Sequence, residues 1–267
     1  MGLGQEGEGD TMAYMLEIRS ACKCFGKGTV NEHTALNNLN LTLEPGEFVT
    51  VLGSNGSGKS TLFNAISGTF LLDSGRILLD GEDITFLPEH KRARNIGRLF
   101  QDPMKGTAPS LTIEENLALA CSKKKKSSFS QALGRKDREY FRQELERFGM
   151  DLENRMKTRV GLLSGGQRQV VTLLMSTLVP PRLLLLDEHT AALDPATAGK
   201  VMDITCGIVD RYRITTLMIT HNMQQALETG TRTIMLDSGR ILLDMDQTRR
   251  RELTVDKLRE LYVSAQV

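Results

Sequence analysis

The sequence predicts an α/β protein whose core is a parallel β-sheet, because three short apolar segments have the length of buried strands. A glycine-rich turn follows the first segment, two carboxylates end the second, and a histidine ends the third. In open α/β sheets, ligands bind at the carboxyl ends of the strands, so we expect a binding site at that edge. The segments are FVTVL (48–52), LLLLDE (183–188) and ITTLMITH (214–221).

Length and composition are those of an ordinary globular protein. The 267 residues suit one large domain or a domain with a subdomain, and a net charge of +1 gives no general attraction to nucleic acid or anionic lipid. No apolar run approaches the roughly 20 residues of a membrane span, and the polar N-terminus lacks a signal peptide. We expect a disordered tail over 1–14, one domain over 15–267, and a cytoplasmic protein that reaches a membrane only through a partner.

A phosphate loop follows the first predicted strand, where residues 53–60 fit the pattern G-x-x-x-x-G-K-[ST]. Its glycines let several backbone N–H groups point at one anion, and a helix beginning near Lys59 adds its positive N-terminus. Lys59 can reach the β- and γ-phosphates, and the Ser60 hydroxyl can ligate Mg²⁺. An accidental glycine-rich turn would not need a strand before it and a helix after it. The predicted nucleoside-triphosphate site comprises Gly53, Ser54, Asn55, Gly56, Ser57, Gly58, Lys59, Ser60 and Thr61.

Further strands are predicted on both sides of this loop. Alternating polarity indicates one at 16–25, one at 34–47 that ends in a Pro-Gly turn, a strand pair at 74–84 and a hairpin at 231–244. Phe25, at the end of the first strand, could stack on a purine ring or fill the core. Its spacing alone favours neither interpretation.

Residues 111–179 differ from the rest of the chain because they carry helical patterns and no strand pattern. Thr112 is suited to cap one helix, and residues 135–150 have the pattern of a charged amphipathic helix. The strand at 96–103 that precedes this region carries Gln101, whose carbonyl oxygen could ligate Mg²⁺ or hold a water molecule. We expect an inserted helical subdomain here.

A second anion-binding feature is LSGGQ, the signature segment (163–167), which opens a predicted helix. Ser164 is a favourable N-cap, and the two following glycines leave backbone N–H groups accessible at the helix N-terminus. The segment has no lysine of its own. A plain Ser-Gly-Gly linker would not require a helix behind it, so a second phosphate contact is the better interpretation.

Two acidic residues end the second predicted strand. On a sheet shared with the phosphate loop, Asp187 would lie beside the loop and hold Mg²⁺ through water, and Glu188 would act as the base for a water molecule. Capping of the next helix is the alternative, but Asp194, directly before Pro195, already suits that role. His221 ends the third strand at the same edge of the sheet.

The order of these motifs resembles the ATP-binding cassette (ABC) family of ATPases across nearly the whole chain. The pentapeptide LSGGQ, 20 residues before LLLLDE, separates this resemblance from other P-loop classes. The resemblance implies an α/β P-loop NTPase fold of the ABC type, with a mixed RecA-like sheet core, an antiparallel β subdomain and an inserted α-helical subdomain over about 103–179. It also implies ATP and Mg²⁺ as cofactors.

The resemblance assigns residues to the ATP and Mg²⁺ bound by one protomer. Phe25 matches the aromatic that stacks on adenine, and residues 53–61 match the phosphate loop. Gln101 matches the glutamine that joins Mg²⁺ and the attacking water to the transmembrane partner. Asp187 matches the acid of the magnesium site, so the implied metal site consists of Ser60, Gln101 and Asp187.

Other matches concern catalysis and a second protomer. Glu188 matches the catalytic base and His221 the histidine that contacts the γ-phosphate, and both would act with Gln101 and Lys59 in hydrolysis. Asp194 matches the acid that links the two sites of a dimer. The signature segment matches the residues that bind the γ-phosphate of ATP held by the other protomer, namely Ser164, Gly165, Gly166 and Gln167.

The resemblance also implies transport partners. FQDPMKGTAPSLTIEENLALA (100–120) and DEHTAALDP (187–195), in which His189 replaces the usual proline, resemble a bacterial subgroup of importers, some proposed to carry tryptophan or tyrosine. This implies a head-to-tail homodimer on the cytoplasmic face of the membrane, bound to integral permease subunits and served by an extracellular or periplasmic binding protein. Nucleic acid is not an expected partner. An exporter with a separate permease and a soluble ABC protein without transport are the alternatives.

Overall fold

The computed structural model describes residues 14–122 and 134–265, so all of the predicted tail except Tyr14 lies outside the described residues. The described residues form two β-sheets with helices around the larger one. The strands are β1 (Leu16–Phe25), β2 (His33–Leu43), β3 (Phe48–Gly53), β4 (Ser74–Leu79), β5 (Glu82–Asp83), β6 (Ile96–Leu99), β7 (Leu183–Asp187), β8 (Thr215–Ile219), β9 (Arg232–Asp237) and β10 (Arg240–Met245).

Most helices form close to where the sequence predicts them, although the one predicted over 135–150 ends at Glu146. Three short helices of four to six residues were not predicted, because such lengths carry too little periodicity. The α-helices are α1 (Lys59–Ser67), α2 (Glu89–Arg92), α3 (Ile113–Ser122), α4 (Arg135–Glu146), α5 (Gly165–Thr177), α6 (Pro195–Tyr212), α7 (Met223–Glu228), α8 (Gln247–Arg251) and α9 (Val255–Ala265), and 3-10 helices span Pro103–Gly106 and Val160–Leu162.

The larger sheet has the strand order β10-β9-β3-β8-β7-β6, and every pair except β10–β9 is parallel. Ile219 of β8 pairs with Val51 of β3 on one side and with Asp187 of β7 on the other, so these strands end together. The hairpin predicted at 231–244 forms as β9 and β10. The predicted mixed sheet is confirmed, and it brings the phosphate loop, the acids and His221 to one edge.

The smaller sheet is antiparallel, in the order β2-β1-β4-β5. Its apolar side chains pack with the larger sheet and with α1, whose Phe63 and Ile66 are fully buried. The strand predicted at 34–47 ends at Leu43, because the chain turns at Gly46, which has a φ of 76°. The predicted antiparallel β subdomain is confirmed in this sheet.

Helices cover the opposite face of the larger sheet. Apolar residues of α3, α4, α5 and α6 pack with Leu184 and Leu186 of β7, whereas Leu183 and Leu185 face the cluster beneath the smaller sheet. Successive residues of a strand point to opposite faces, so this run of leucines is what a strand buried on both faces requires.

The described residues between 103 and 179 are helical and contain no strand, with one isolated bridge between Thr112 and Arg159. A helical insertion was predicted here, and its limits at about 103–179, like the domain limits of 15–267, stay predictions. Among residues 14–122 and 134–265, no helix is both long and apolar enough to cross a bilayer.

Candidate functional site

The phosphate loop joins the end of β3 to the start of α1. Gly53, Gly56 and Gly58 have φ angles of 150°, 81° and 104°, which other residues rarely adopt. A Cβ on Gly58 would lie 2.5 Å from the backbone oxygen of Ala35. Gly58 is also the N-cap of α1, and no side chain caps this helix. The N–H groups of its first turn are therefore available to an anion.

Lys59 lies inside this loop rather than in solvent. It is 7% exposed, and its Nζ donates hydrogen bonds to the backbone oxygens of Gly53 at 2.8 Å and Ser54 at 2.7 Å. Burial lowers the pKa of the ammonium group, and the nearby carboxylates of Glu188 and Asp187 oppose this shift. The ammonium is held by neutral acceptors, so a phosphate would be a stronger partner for it.

The remaining residues of the loop differ in exposure. Ser54, Asn55 and Ser60 are exposed, and Thr61 is half-buried in the first turn of α1. Ser57 is buried, and its Oγ has no hydrogen-bond partner among the described residues. An unpaired buried hydroxyl beside open N–H groups fits a polar ligand such as a nucleotide phosphate.

The three predicted metal ligands line one cleft of about 690 Å³, the metal-site cleft. Ser60 lies in α1, Asp187 ends β7 and Gln101 follows β6, so the fold brings them together from three chain segments. A hydroxyl, an amide carbonyl and a carboxylate are oxygen ligands of the kind that Mg²⁺ takes. The donor set therefore fits this metal.

Arg98 of β6 also lines the metal-site cleft, and the sequence did not single it out. Its Nη2 lies 3.2 Å from Oδ2 of Asp187, and the two side chains are only 12% and 18% exposed. The residues are 89 positions apart, and they meet because β6 pairs with β7. No local pattern could have indicated this ion pair.

Glu188 and His221, which follow β7 and β8, meet at the edge of the sheet. Nδ1 of His221 lies 3.4 Å from Oε2 of Glu188, and both side chains remain accessible to water at 67% and 22% exposure. Glu188 has a φ of 47°, and its N–H donates to the backbone oxygen of Ile219 at 3.1 Å. A non-glycine residue in this region is held there by its surroundings, which is common at functional sites.

A chain of hydrogen bonds ties together the loops that carry Glu188 and His221. Thr220 Oγ1 donates to Gln225 Oε1 at 2.6 Å, and Gln225 Nε2 donates to Thr190 Oγ1 at 3.4 Å. Sequence analysis missed Gln225 because a glutamine in a six-residue helix has no distinguishing pattern.

His189 directly follows Glu188 in the chain and is buried, with 3% of its surface exposed. The hydroxyl of Thr205 donates to the backbone oxygen of Val201 at 2.8 Å, so its oxygen accepts a hydrogen bond from Nε2 of His189 at 3.2 Å. Burial lowers the pKa of His189 to about 4. The imidazole is therefore neutral at physiological pH, and it packs the turn after β7 against α6.

The signature segment forms the N-terminus of α5. The N–H of Gln167 donates to Ser164 Oγ at 3.3 Å, and the N–H of Ser164 donates to Gln167 Oε1 at 3.3 Å, so the two residues form a capping box. Gly165 and Gly166 follow in the first turn. The Ser164 hydroxyl accepts within the helix, and its own proton is left for an anion.

Asp194 and the signature segment meet at the first turn of α6. Asp194 is exposed, and its Oδ1 accepts from the N–H of Thr197 at 3.1 Å, as expected of an N-cap. The hydrogen bonds from Thr197 lower the pKa of this carboxyl group. A Cβ on Gly166 would overlap Cγ2 of Thr197, so the N-termini of α5 and α6 are in direct contact.

Phe25 ends β1 with 40% of its surface exposed, so it is not a core residue. Its ring meets the ring of Phe70 edge-on at 5.3 Å, and Nζ of Lys23 lies 5.5 Å from its centre. An exposed aromatic ring supported by a second ring suits base stacking better than core packing. Its contact with adenine stays a prediction.

Comparison with known proteins identifies relatives of the chain. Residues 36–191 match the family described as ABC transporter. The chain is 45% identical to a tyrosine transport ATP-binding protein of Clostridioides difficile (strain R20291), over 93% of this chain and 98% of that protein. It is 34% identical to the spermidine/putrescine import ATP-binding protein PotA of Haemophilus influenzae, over 86% of this chain but 57% of PotA.

Solved structures share the fold. CbiO1 from Clostridium perfringens, part of the ABC transporter complex cbiONQ, has a TM-score of 0.76 at 26% identity, over 94% of this chain and 95% of that one. The ATP-binding cassette MJ0796, solved as a dimer in a post-hydrolysis state with ADP and phosphate, has a TM-score of 0.75 at 28% identity, over 87% and 99%. The family match, the relatives and the fold agree, and the chain belongs to the ABC transporter family, as its motifs predicted.

Proposed function

We propose that this chain is the ATP-binding and ATP-hydrolysing subunit of an importer, and that it powers transport through separate permease subunits. The observation that carries the proposal is the meeting of the phosphate loop with Asp187, Glu188 and His221 at one edge of the sheet. Phosphoryl transfer to water needs phosphate binding, charge neutralisation and a base, and these groups provide them. The relatives named for tyrosine transport and polyamine import favour an importer over an exporter or a protein without transport.

ATP would bind along the phosphate loop with its terminal phosphates beside Lys59. The N–H groups of the first turn of α1 and the ammonium of Lys59 would stabilise the negative charge on the phosphate oxygens. Mg²⁺, held by Ser60, Gln101 and Asp187, would neutralise further charge on the β- and γ-phosphates. Phe25 would stack on the adenine.

Hydrolysis would use the residues that follow β7 and β8. Glu188 would take the proton of the attacking water, and its side chain is accessible to solvent. His221 lies beside it and would contact the γ-phosphate, while Gln101, in the metal-site cleft, would orient the water. The hydrogen bonds through Gln225 would keep the loops of Glu188 and His221 in register.

The working form would be a homodimer in which two chains face head to tail. The signature segment has no lysine, and its capping box satisfies only the N–H groups of Ser164 and Gln167. The N–H groups of the two glycines and the Ser164 hydroxyl are therefore suited to add contacts to a phosphate held elsewhere. Residues Ser164–Gln167 of one protomer would therefore close over the ATP of the other, with Asp194 at the junction. The cassette MJ0796 is a dimer in its structure with ADP and phosphate.

The test of the hydrolytic site is Glu188→Gln. Hydrolysis should fall by roughly 100- to 10,000-fold, the range for loss of a general base, while ATP affinity stays within about twofold of wild type. The variant should also accumulate as an ATP-bound dimer in light scattering. Glu260→Gln, an exposed change on α9, is the matched control and should keep wild-type turnover. Wild-type turnover in Glu188→Gln would exclude this residue as the base.

We propose further that the partners are integral membrane permease subunits, reached from the cytoplasmic face, and an extracellular binding protein for an aromatic amino acid. The identity of 45% with a tyrosine transport ATP-binding protein supports this class. Purification from detergent-solubilised membranes should bring down a permease, and deletion of the chain should reduce uptake of labelled tyrosine but not of spermidine. Ribosomes or DNA in place of a permease would overturn the transport role, and unchanged tyrosine uptake would overturn the substrate class.

A further inference from the structure

Arg98 is a cation built into the metal-site cleft. Its Nη2 lies 3.2 Å from Oδ2 of Asp187, and both side chains are largely withdrawn from water. A guanidinium that approaches a carboxylate so closely in a region of low dielectric cancels much of its charge. Much of the charge of Asp187 is therefore balanced by the protein itself.

The position of the Arg98 guanidinium is fixed from several sides. Its Nη1 donates to Ser67 Oγ at 3.1 Å, in the last turn of α1, and the group lies 4.6 Å from the centre of the Phe100 ring. A cation is also favoured beside the C-terminus of a helix. Arg98 thus links the far end of α1 to Asp187 through its two terminal nitrogens, while its Nε is buried without a hydrogen-bond partner among the described residues.

We propose that Arg98 is a positioning residue that serves as the resident counterion of Asp187 and stands in for Mg²⁺ until a metal–nucleotide complex binds. The proposal rests on the metal role of Asp187 in the proposed function. With Arg98 in place, the charge of Asp187 is balanced without metal, so free ATP can bind without meeting an uncompensated carboxylate. Mg²⁺ then adds less to binding than it would beside a bare aspartate.

The consequence is a weak dependence of nucleotide affinity on metal. The measured quantity is the metal ratio: the Kd for ATP in excess EDTA divided by the Kd for ATP in excess Mg²⁺. This ratio is a coupling between two ligands, so it reports on the charge that both meet in the cleft. Loss of Arg98 should weaken the binding of metal-free ATP and strengthen the binding of the magnesium complex, and both changes raise the ratio.

The experiment measures ATP affinity of the full chain by isothermal titration calorimetry with and without Mg²⁺. Arg98→Met keeps the length of the side chain and removes its charge, and it should raise the metal ratio by about tenfold or more. Arg98→Lys keeps the charge and should stay within about threefold of wild type. Arg98→Gln is a second uncharged variant for the case in which the methionine does not fold.

Arg232→Met is the matched control. Arg232 also holds a half-buried ion pair, with Asp244 at 2.6 Å, but in β9 and away from the metal-site cleft. It should lose stability and keep the wild-type metal ratio. A general loss of stability in Arg98→Met would therefore not be mistaken for the proposed effect.

Asp187→Asn separates failure of this inference from failure of the proposed function. If Asp187 serves the metal, this variant should lower the metal ratio. An unchanged ratio in Asp187→Asn would overturn the metal role itself. A lowered ratio there, together with an unchanged or lowered ratio in Arg98→Met and Arg98→Gln, would overturn only the counterion role of Arg98.

Discussion

The two helix N-termini proposed to contact phosphate, those of α1 and α5, are built in opposite ways. At α1 the N-cap is Gly58, no side chain caps the helix, and Lys59 is buried beside the open N–H groups. At α5 the N-cap is Ser164, which shares a capping box with Gln167. The first three residues of the helix, GGQ, include no basic residue. The first end has no side-chain cap, whereas at the second a capping box satisfies two N–H groups, those of Ser164 and Gln167.

This difference explains how a chain can fold as a monomer although its proposed ATP site is completed only by the signature segment of a second chain. At α1 the open N–H groups lie beside Lys59, whose ammonium is held by the backbone oxygens of Gly53 and Ser54 before any ligand arrives. At α5 the capping box holds the helix start in shape without a ligand, and no lysine there provides charge for binding one. We infer that α1 supplies the binding energy for ATP and α5 supplies contacts only when two chains close.

The largest effect should appear when two inactive variants are mixed. Lys59→Met removes the phosphate-binding charge, and Ser164→Asp keeps a good N-cap but brings a carboxylate against the partner's phosphate. Each alone should lose nearly all ATP hydrolysis. A mixture forms heterodimers in which the ATP site of the Ser164→Asp chain meets the intact signature segment of the Lys59→Met chain.

The mixture should therefore recover a substantial fraction of wild-type turnover in a steady-state ATPase assay. Mixing Lys59→Met with a double variant that carries both changes is the control, because no intact composite site can then form. If the first mixture stays as inactive as its components, the head-to-tail arrangement is wrong.

A smaller effect concerns His189, which packs the turn after β7 against α6. Its pKa is about 4 in the folded protein against 6.5 for an ordinary histidine, so the unfolded chain binds the proton first. The stability contributed by neutral His189 is therefore present above about pH 6.5 and is lost as the pH falls towards 4. The free energy of unfolding should fall by about 2 kcal/mol between pH 7.5 and pH 5.

Denaturant unfolding at these two pH values measures the change. His189→Gln removes the titrating group and can still donate to Thr205. The decrease in the free energy of unfolding between the two pH values should therefore be smaller than in the wild type by about 2 kcal/mol. An identical pH dependence in the variant would show that other groups cause the acid sensitivity.

The smallest effect should come from Ser164→Ala. Loss of the cap should reduce the free energy of unfolding by about 1 kcal/mol. ATP binding to the monomer should stay within about twofold of wild type, because α1 and not α5 binds the nucleotide. Ser164→Asp should keep the stability that Ser164→Ala loses, which separates capping from phosphate contact in one pair of melts and titrations.

The sequence predicted the parts of the site that are local in the chain. The phosphate loop, the signature segment and the acid after LLLLD are each contained in a few consecutive residues, so residue type and spacing identify them. The mixed sheet was expected from the family resemblance, whereas the order of its strands was not predicted. Glu188 and His221 were expected at the same edge of the sheet because both follow parallel strands, but their contact was not predicted.

The parts that the sequence could not predict are contacts between distant residues. The ion pair of Arg98 with Asp187 depends on the pairing of β6 with β7, and the bond from His189 to Thr205 depends on how α6 packs. In the sequence, His189 was only a departure from the family's proline. These contacts could not be predicted because the role of each side chain depends on a partner that is distant in the chain, and local sequence patterns do not identify that partner.

Gly166 and Thr197 are in such close contact that side-chain atoms at the two positions would compete for the same space. A methyl group at residue 166 has no room while Thr197 carries its own methyl group, so the two sites cannot both be enlarged. Among homologous sequences, a larger residue at one position should be accompanied by a smaller one at the other. Because the two positions are in contact, the start of α5 cannot move towards α6 without displacing the turn of Asp194, so the two segments proposed to face a neighbouring chain should move together.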